Sequence, residues 1–259
     1  MTAAIVLAAG RGTRLGELGA RMAKAMIHVV GRPHLEHLAG HFLDMGLRPV
    51  VFAVHHHAST IYDHFGSDPR WSAVRPVFTS QRGTGTDLLE CLEEVPDEPF
   101  VVWNGDTIVD LDLRALLAFA EDAPGQAVVV LTRRSGVPNE GAFYVGADRS
   151  VLASREAAPP HAMPTTFAWR GSSSGVLVFR KSLLASFNSA MQLSLERDVL
   201  PSLVLNRRLC AFDNGMRYVL DFGTREGLAQ LRRDEQLLRS PLPANQQPER
   251  RTDAGTLPE

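Results

Sequence analysis

The 259-residue sequence has only two cysteines, Cys91 and Cys210, too few for a disulfide framework or a cysteine-rich metal site. They read as small buried hydrophobes, one in a helix-like and one in a strand-like segment. An excess of either charge is also missing: 27 Lys and Arg face 29 Asp and Glu, for a formal net charge of −2. No general basic field then exists to hold nucleic acid or an anionic membrane, so any phosphate binding has to be local. No apolar run reaches the length of a membrane span. The start, Met1-Thr2-Ala3-Ala4-Ile5-Val6-Leu7, lacks basic residues, and its apolar stretch ends too early for a signal peptide. A cytoplasmic enzyme with no nucleic-acid or membrane partner is expected; self-association into a homo-oligomer stays open. Neither an internal repeat nor a hexapeptide series that would form an appended β-helix is present.

What is present is 44% apolar and 22% charged residues, enough to bury the core of one α/β domain. Short apolar runs at Ala3–Leu7, Pro49–Val54, Val74–Thr79, Phe100–Trp103 and Ala127–Leu131 read as strands. Between them, Leu35–Met45, Ala58–Phe65, Thr86–Glu94 and Leu113–Glu121 carry apolar residues at helical spacing. The alternation predicts a Rossmann-like, mostly parallel sheet flanked by helices. From about 136 to 180 the rhythm shifts to Gly, Pro and short β-like pieces, predicting a small antiparallel subregion or flap at the sheet's edge. Further elements are expected at Gly175–Phe179, Ser182–Phe187, Leu209–Phe212, Tyr218–Asp221 and Thr224–Leu238. One domain over 1–239 is thus expected, with 240–259, rich in Pro, Gln and Arg, as a disordered tail.

The informative segment is Leu7-Ala8-Ala9-Gly10-Arg11-Gly12-Thr13-Arg14-Leu15, directly after the first strand. Small residues at a strand's carboxyl end let backbone N–H groups approach a phosphate chain, and Arg14 can neutralise it. A dinucleotide fingerprint would need glycine at Leu15, and a Walker loop would need Gly-Lys-Ser/Thr; both are absent. The glycines alone fit an ordinary strand-to-helix turn equally well.

With Lys24, Val30, Gly31 and Pro33, this segment resembles the signature of the sugar-phosphate nucleotidyltransferases, Leu-Ala-Ala-Gly-x-Gly-Thr-Arg-Leu, Pro-Lys, Val-x-Gly-x-Pro. Ala23 stands where that pattern has proline, which bears on the loop's rigidity more than its chemistry. The resemblance implies that Leu7, Ala9, Gly10, Gly12 and Thr13 hold a nucleoside triphosphate, with Arg14 and Lys24 as catalytic positive charges. Two further segments, Asn104-Gly105-Asp106 and Asp221-Phe222-Gly223-Thr224, each end an apolar strand in an aspartate. Transfer from a triphosphate calls for Mg²⁺, which prefers carboxylate oxygens. Either aspartate alone would fit a helix cap or turn, but the resemblance makes Asp106 and Asp221 the metal ligands. Asp110 and Asp112 read instead as a turn into the next helix.

Ser80-Gln81-Arg82-Gly83-Thr84-Gly85-Thr86 is similar to family segments that lie against base and ribose. Gln81 carries a donor and an acceptor, Gly83 leaves room for a ring, and Thr84 fits a base contact or a helix cap. Arg82 departs from the family's leucine. For the sugar, the matching positions are Gly141, Glu156 with Ala157, and Ser173-Ser174-Gly175. Ala157 replaces a lysine that usually helps bind the sugar phosphate, and Arg155, Arg170 or Lys181 are the substitutes on offer. Ser194-Leu195-Glu196-Arg197-Asp198 resembles an element of mannose- and heptose-1-phosphate guanylyltransferases, favouring GTP and a manno-configured sugar or a related cyclitol. The run His55-His56-His57 is expected to be extended, with alternate rings on opposite faces, and structural rather than metal-binding. The expected reaction joins a nucleoside triphosphate and a sugar 1-phosphate. Cytidylyl or uridylyl transfer to another phosphorylated small molecule, or a silent regulatory subunit, are the alternatives.

Overall fold

Strands buried on both faces need apolar residues at every position, and this shapes the centre of the protein. A computed structural model describes residues 2–96, 99–123, 125–134, 142–155 and 164–239. β1 (Ala3–Leu7) pairs in parallel with β4 (Val50–Val54) on one side and β6 (Phe100–Asn104) on the other, while β2 (His28–Val29) and β3 (Arg32–Pro33) form a separate antiparallel pair. β5 (Val74–Phe78) extends β4 in parallel and forms one edge, where Pro76 is tolerated. The expected strands lie within a residue or two of these bounds.

Alternate residues of the central strands feed two cores on opposite faces, as the two-residue period requires. One face buries Ala4, Val6, Phe52 and Trp103 against α2 (His34–Asp44), α3 (Ala58–Gly66) and α5 (Leu113–Glu121). The other buries Ile5, Val51, Phe100 and Val102 against α4 (Thr84–Glu90), α6 (Lys181–Leu184) and α7 (Leu200–Leu205). The result is a helix–sheet–helix sandwich, the Rossmann-like class expected. Asp112 caps α5 by accepting the Ala115 N–H at 3.0 Å, which agrees with its reading as a turn residue.

Three expectations shift. The helix expected over Thr86–Glu94 begins at Thr84 and stops at Glu90, followed by a 3₁₀ turn at Leu92–Glu94. The helix expected near Ser182–Phe187 is the single turn of α6. The strand expected from Gly175 starts six residues earlier, as β11 (Trp169–Phe179). Its first half is polar and glycine-containing; it is a strand because β8 (Ala127–Thr132) and β9 (Ala142–Val145) both pair with it.

β11 decides where the sheet opens. Residues 176–179 pair antiparallel with β6, whereas 169–172 pair with β9 on that same side. β10 (Val151–Ser154) completes an antiparallel extension that is continuous with the main sheet rather than a separate flap over it. Between the two pairings, the register slips around Ser173 to Leu177, with Gly175 at φ 75°. This gap faces the carboxyl ends of β1 and β6, where ligands of open α/β sheets bind. β12 (Leu209–Asp213) closes the far edge against β8, and α8 (Arg225–Arg239) ends the described chain. No helix among the described residues is long and apolar enough to cross a membrane. The expected disordered tail lies outside the described residues.

Candidate active site

The gap beside β11 continues into a cavity of about 840 Å³. Its floor is the glycine-rich loop. After β1 the chain reverses at Gly12, φ 64°, makes a 3₁₀ turn at Thr13–Leu15 and forms the short helix α1 (Glu17–Arg21). Leu7, Ala9, Gly10 and Arg14 line the cavity, and Lys24 enters it from a second 3₁₀ turn, Lys24–Met26. Gly12 and Thr13 lie outside the lining; Gly12 makes the turn and Thr13 is exposed. Ala23 has φ −60° and ψ 131°, the backbone that a proline there would impose.

A two-stranded antiparallel ribbon brings the aspartates together. β7 (Thr107–Val109) pairs with β13 (Val219–Asp221) so that Thr107 faces Asp221, and Asp106 is the preceding residue. The turn holding Asp106 is fixed from behind. The Thr107 carbonyl accepts the Trp103 indole N–H at 2.9 Å and His34 Nε2 at 3.2 Å. His34 is buried, so its pKa falls to about 4 and the ring stays neutral, with its hydrogen on Nε2.

Lys24 Nζ pairs with Asp106 Oδ2. A Cβ placed on Gly223 would overlap Asp106 Oδ2 and lie 2.9 Å from Asp221 Oδ1 and 3.2 Å from Lys24 Nζ, so all three charges converge on one glycine. Asp221 Oδ1 accepts the Gly223 N–H at 2.7 Å. Burial, and then the neighbouring Asp106 charge, push the Asp221 carboxyl up to about 6. Two carboxylates that repel one another in a half-dry site suit a divalent cation. Among the described residues there is no cluster of three or more His, Cys, Asp and Glu. Mg²⁺ binds in that way, through one or two carboxylates with waters and substrate phosphates completing its shell. Asp106 and Asp221 therefore fit it.

The opposite wall is built from two segments locked together. Gly83, φ 134°, lies so close to Leu193 that a Cβ would overlap its carbonyl oxygen. The glycine serves this packing and also lines the cavity. Thr84 Oγ1 donates to Glu196 at 3.0 Å and accepts the Leu195 N–H at 2.8 Å. Gln81 lines the cavity, yet its amide donates to the Ala9 carbonyl and accepts from Arg11 Nε at 2.9 Å. It clasps the glycine-rich loop instead of presenting a free edge.

On the sugar side, Ser174 and Gly175 reach the lining, but the Ser174 hydroxyl is buried and donates to the Val130 carbonyl at 3.0 Å. Gly141 and Glu156 lie outside the described residues. Arg155, Arg170 and Lys181, offered as substitutes for the absent lysine, do not line the cavity; among the described residues its cations are Arg11, Arg14, Lys24 and Arg197. Sequence reasoning did not single out Arg11, Asp87 and Asn104 as lining residues, whereas Ser173, read with Ser174 and Gly175, does reach the lining. Arg11 and Asn104 stood inside quoted motifs, which was the available signal. Asp87 had none, since only folding places it under Gln81, whose N–H it accepts at 3.0 Å. The histidine run does not stay extended as expected: His57 turns at φ 56°, and each ring bonds a backbone carbonyl.

The description of a MobA-like NTP transferase domain matches residues 4–205, most of the chain. The chain belongs to the MobA-like NTP transferase family. The chain is 25% identical, over 217 residues, to the mannose-1-phosphate guanylyltransferase catalytic subunit beta of Drosophila pseudoobscura pseudoobscura, covering 82% of this chain and 57% of the relative. It is 30% identical over 116 residues to the D-glycero-alpha-D-manno-heptose 1-phosphate guanylyltransferase of Campylobacter jejuni, covering 44% of this chain and 51% of the relative. HddC from Yersinia pseudotuberculosis has the same fold, with TM-score 0.70 and 22% identity over 89% of this chain and 98% of that one. The chain spans about half the length of the curated relatives it matches. The resemblance to sugar-phosphate nucleotidyltransferases read from the motifs therefore stands.

Proposed function

We propose that the protein transfers a nucleotidyl group from a nucleoside triphosphate, GTP in preference, to a manno- or heptose-like sugar 1-phosphate or a related cyclitol phosphate. An NDP-sugar and pyrophosphate are the products. The observation that carries this reading is the convergence of Lys24, Asp106 and Asp221 on Gly223, in a cavity floored by the glycine-rich loop.

The acceptor's phosphate oxygen is already an anion, so it needs no base. It attacks the α-phosphorus in line, a P–O bond forms, and the bond to the α,β-bridging oxygen breaks with its electron pair leaving on pyrophosphate. Backbone N–H groups around Gly10 and the Arg14 guanidinium hold the β- and γ-phosphates. Lys24, freed from Asp106, neutralises charge building at the α-phosphate. Asp106 and Asp221 would hold Mg²⁺, which when bound screens the two polyanions from each other. Arg197, which lines the cavity, would meet the acceptor's anion. The preference for GTP rests on the Ser194–Asp198 element, whose Glu196 and Arg197 line the cavity, and on the guanylyltransferases among the relatives.

The test is pyrophosphate release with GTP, UTP, CTP and ATP in turn, against mannose 1-phosphate, heptose 1-phosphate and inositol 1-phosphate. Turnover is expected with GTP; dependence on CTP or UTP alone would sink the guanylyl assignment. Nucleotide-sugar binding without any turnover would indicate a silent regulatory subunit.

A further inference from the structure

The chemistry proposed above leaves one motif unused, the histidine run at the end of β4. None of its rings lines the cavity. They leave the turn in two directions. His55 donates from Nδ1 to the Thr79 carbonyl at 2.6 Å, just ahead of the Gln81–Thr84 loop. His56 and His57 donate from Nε2 to the Gly19 and Ala20 carbonyls at 3.1 and 3.0 Å. A carbonyl oxygen can only accept, so each of these ring nitrogens carries a hydrogen.

Gly19 and Ala20 belong to α1, which is five residues long. So short a helix is unstable alone, and its last carbonyls have no following turn to receive them. The two imidazoles fill that role. Gly19 in turn packs against Gly12, where a Cβ would overlap the Gly12 carbonyl oxygen. Gly12 is the residue on which the glycine-rich loop reverses, so a continuous line of contact runs from His56 through Gly19 to the phosphate-facing backbone.

We infer that His56 and His57 are positioning residues for the triphosphate loop, clipping α1 so that the loop is ordered before nucleotide arrives. His55 ties the Gln81–Thr84 loop to the same strand end, so one turn sets the spacing of both loops. This inference rests on the proposed function, since it assumes that the glycine-rich loop receives the β- and γ-phosphates. A loop ordered in advance avoids an ordering cost on binding, and the benefit falls on the ligand groups that the loop touches.

Isothermal titration of GTP and of GMP, each with Mg²⁺, into the wild type and the double variant His56→Phe/His57→Phe provides the test. Phenylalanine keeps the ring and removes the donor. GTP should bind roughly tenfold more weakly, from the loss of two hydrogen bonds, while GMP, which lacks the β- and γ-phosphates, binds as before. His56→Gln/His57→Gln, which restores an N–H donor, should recover affinity to within about threefold of wild type. Gly19→Ala, which displaces Gly12 without touching the rings, should weaken GTP in the same selective way and serves if the Phe variant does not fold. Equal loss of GTP and GMP, or no loss of either, overturns the positioning role. If the wild type binds no triphosphate, with UTP and CTP also tried, the nucleotidyltransfer reading itself falls, and the inference with it.

Discussion

Asp221→Asn should make the metal-free protein more stable at pH 7.5 and leave it unchanged near pH 4. The Asp221 carboxyl titrates at about 6 in the folded protein against 3.8 without its surroundings. Its folded-state pKa is raised, so between those values the native state holds a proton that the unfolded chain has released. Stability therefore falls as pH rises through this window, and the loss is complete above about 6. A difference of that size corresponds to about 3 kcal/mol; screening of a partly exposed group brings this to roughly 2 kcal/mol. Asparagine keeps an oxygen for the Gly223 N–H and removes the repulsion with Asp106. At pH 7.5 the melting temperature should rise by roughly 4–8 °C for a chain of this size. His34 contributes an opposite slope to both proteins, so the comparison between them cancels it. With saturating Mg²⁺ and GTP the order should reverse, because the wild type gains ligand stabilisation that the variant has lost. Melting curves at pH 4, 5.5 and 7.5, with and without Mg²⁺ and GTP, read both effects. A variant no more stable than wild type at pH 7.5, or one equally stabilised at pH 4, would refute the idea that carboxylate repulsion is held at this site.

Four further outcomes follow from the same structure. Lys24→Ala and Arg14→Ala should each lower kcat/KM by roughly 10²–10³, read by pyrophosphate release, since each removes a charge opposing the triphosphate. Gly223→Ala should abolish activity, because its Cβ would overlap Asp106 Oδ2; wild-type turnover would show that the three charges do not act together. Ala23→Pro should stabilise by about 0.4–1 kcal/mol in urea titrations with activity retained, since Ala23 is already at φ −60°. His34, with its pKa lowered to about 4, stabilises above pH 6.5, and its contribution should be lost as pH falls from 6.5 to 4. His34→Gln should flatten that slope in pH-dependent melts.

The double-sided burial of β1, β4 and β6 leaves continuous apolar runs, which is why those strands were legible. The polar first half of β11 was not, because pairing with β8 and β9 makes it a strand, and a single chain segment carries no record of its partners. The glycine-rich loop was readable for the opposite reason, being a local backbone device with local residue requirements. Gln81 shows the limit of reading residue types. Its amide could serve a base edge, but folding commits it to Ala9 and Arg11, as it commits the Ser174 hydroxyl to Val130.

Composition, the continuous apolar runs alternating with helical spacing, and the quoted motifs by themselves determined the family, the α/β class and the strand ends at which charged groups stand. These are properties of contiguous residues, where backbone conformation and side-chain pattern are written together. Only the tertiary structure decided which groups meet. The β7–β13 ribbon sets Asp221 beside Asp106, the reversal at Gly12 lets Lys24 reach them, and the turn at His57 sends two imidazoles back to the loop that precedes them in the chain. Such meetings depend on register and packing between distant segments, and hydrophobic pattern and propensity do not encode them one segment at a time.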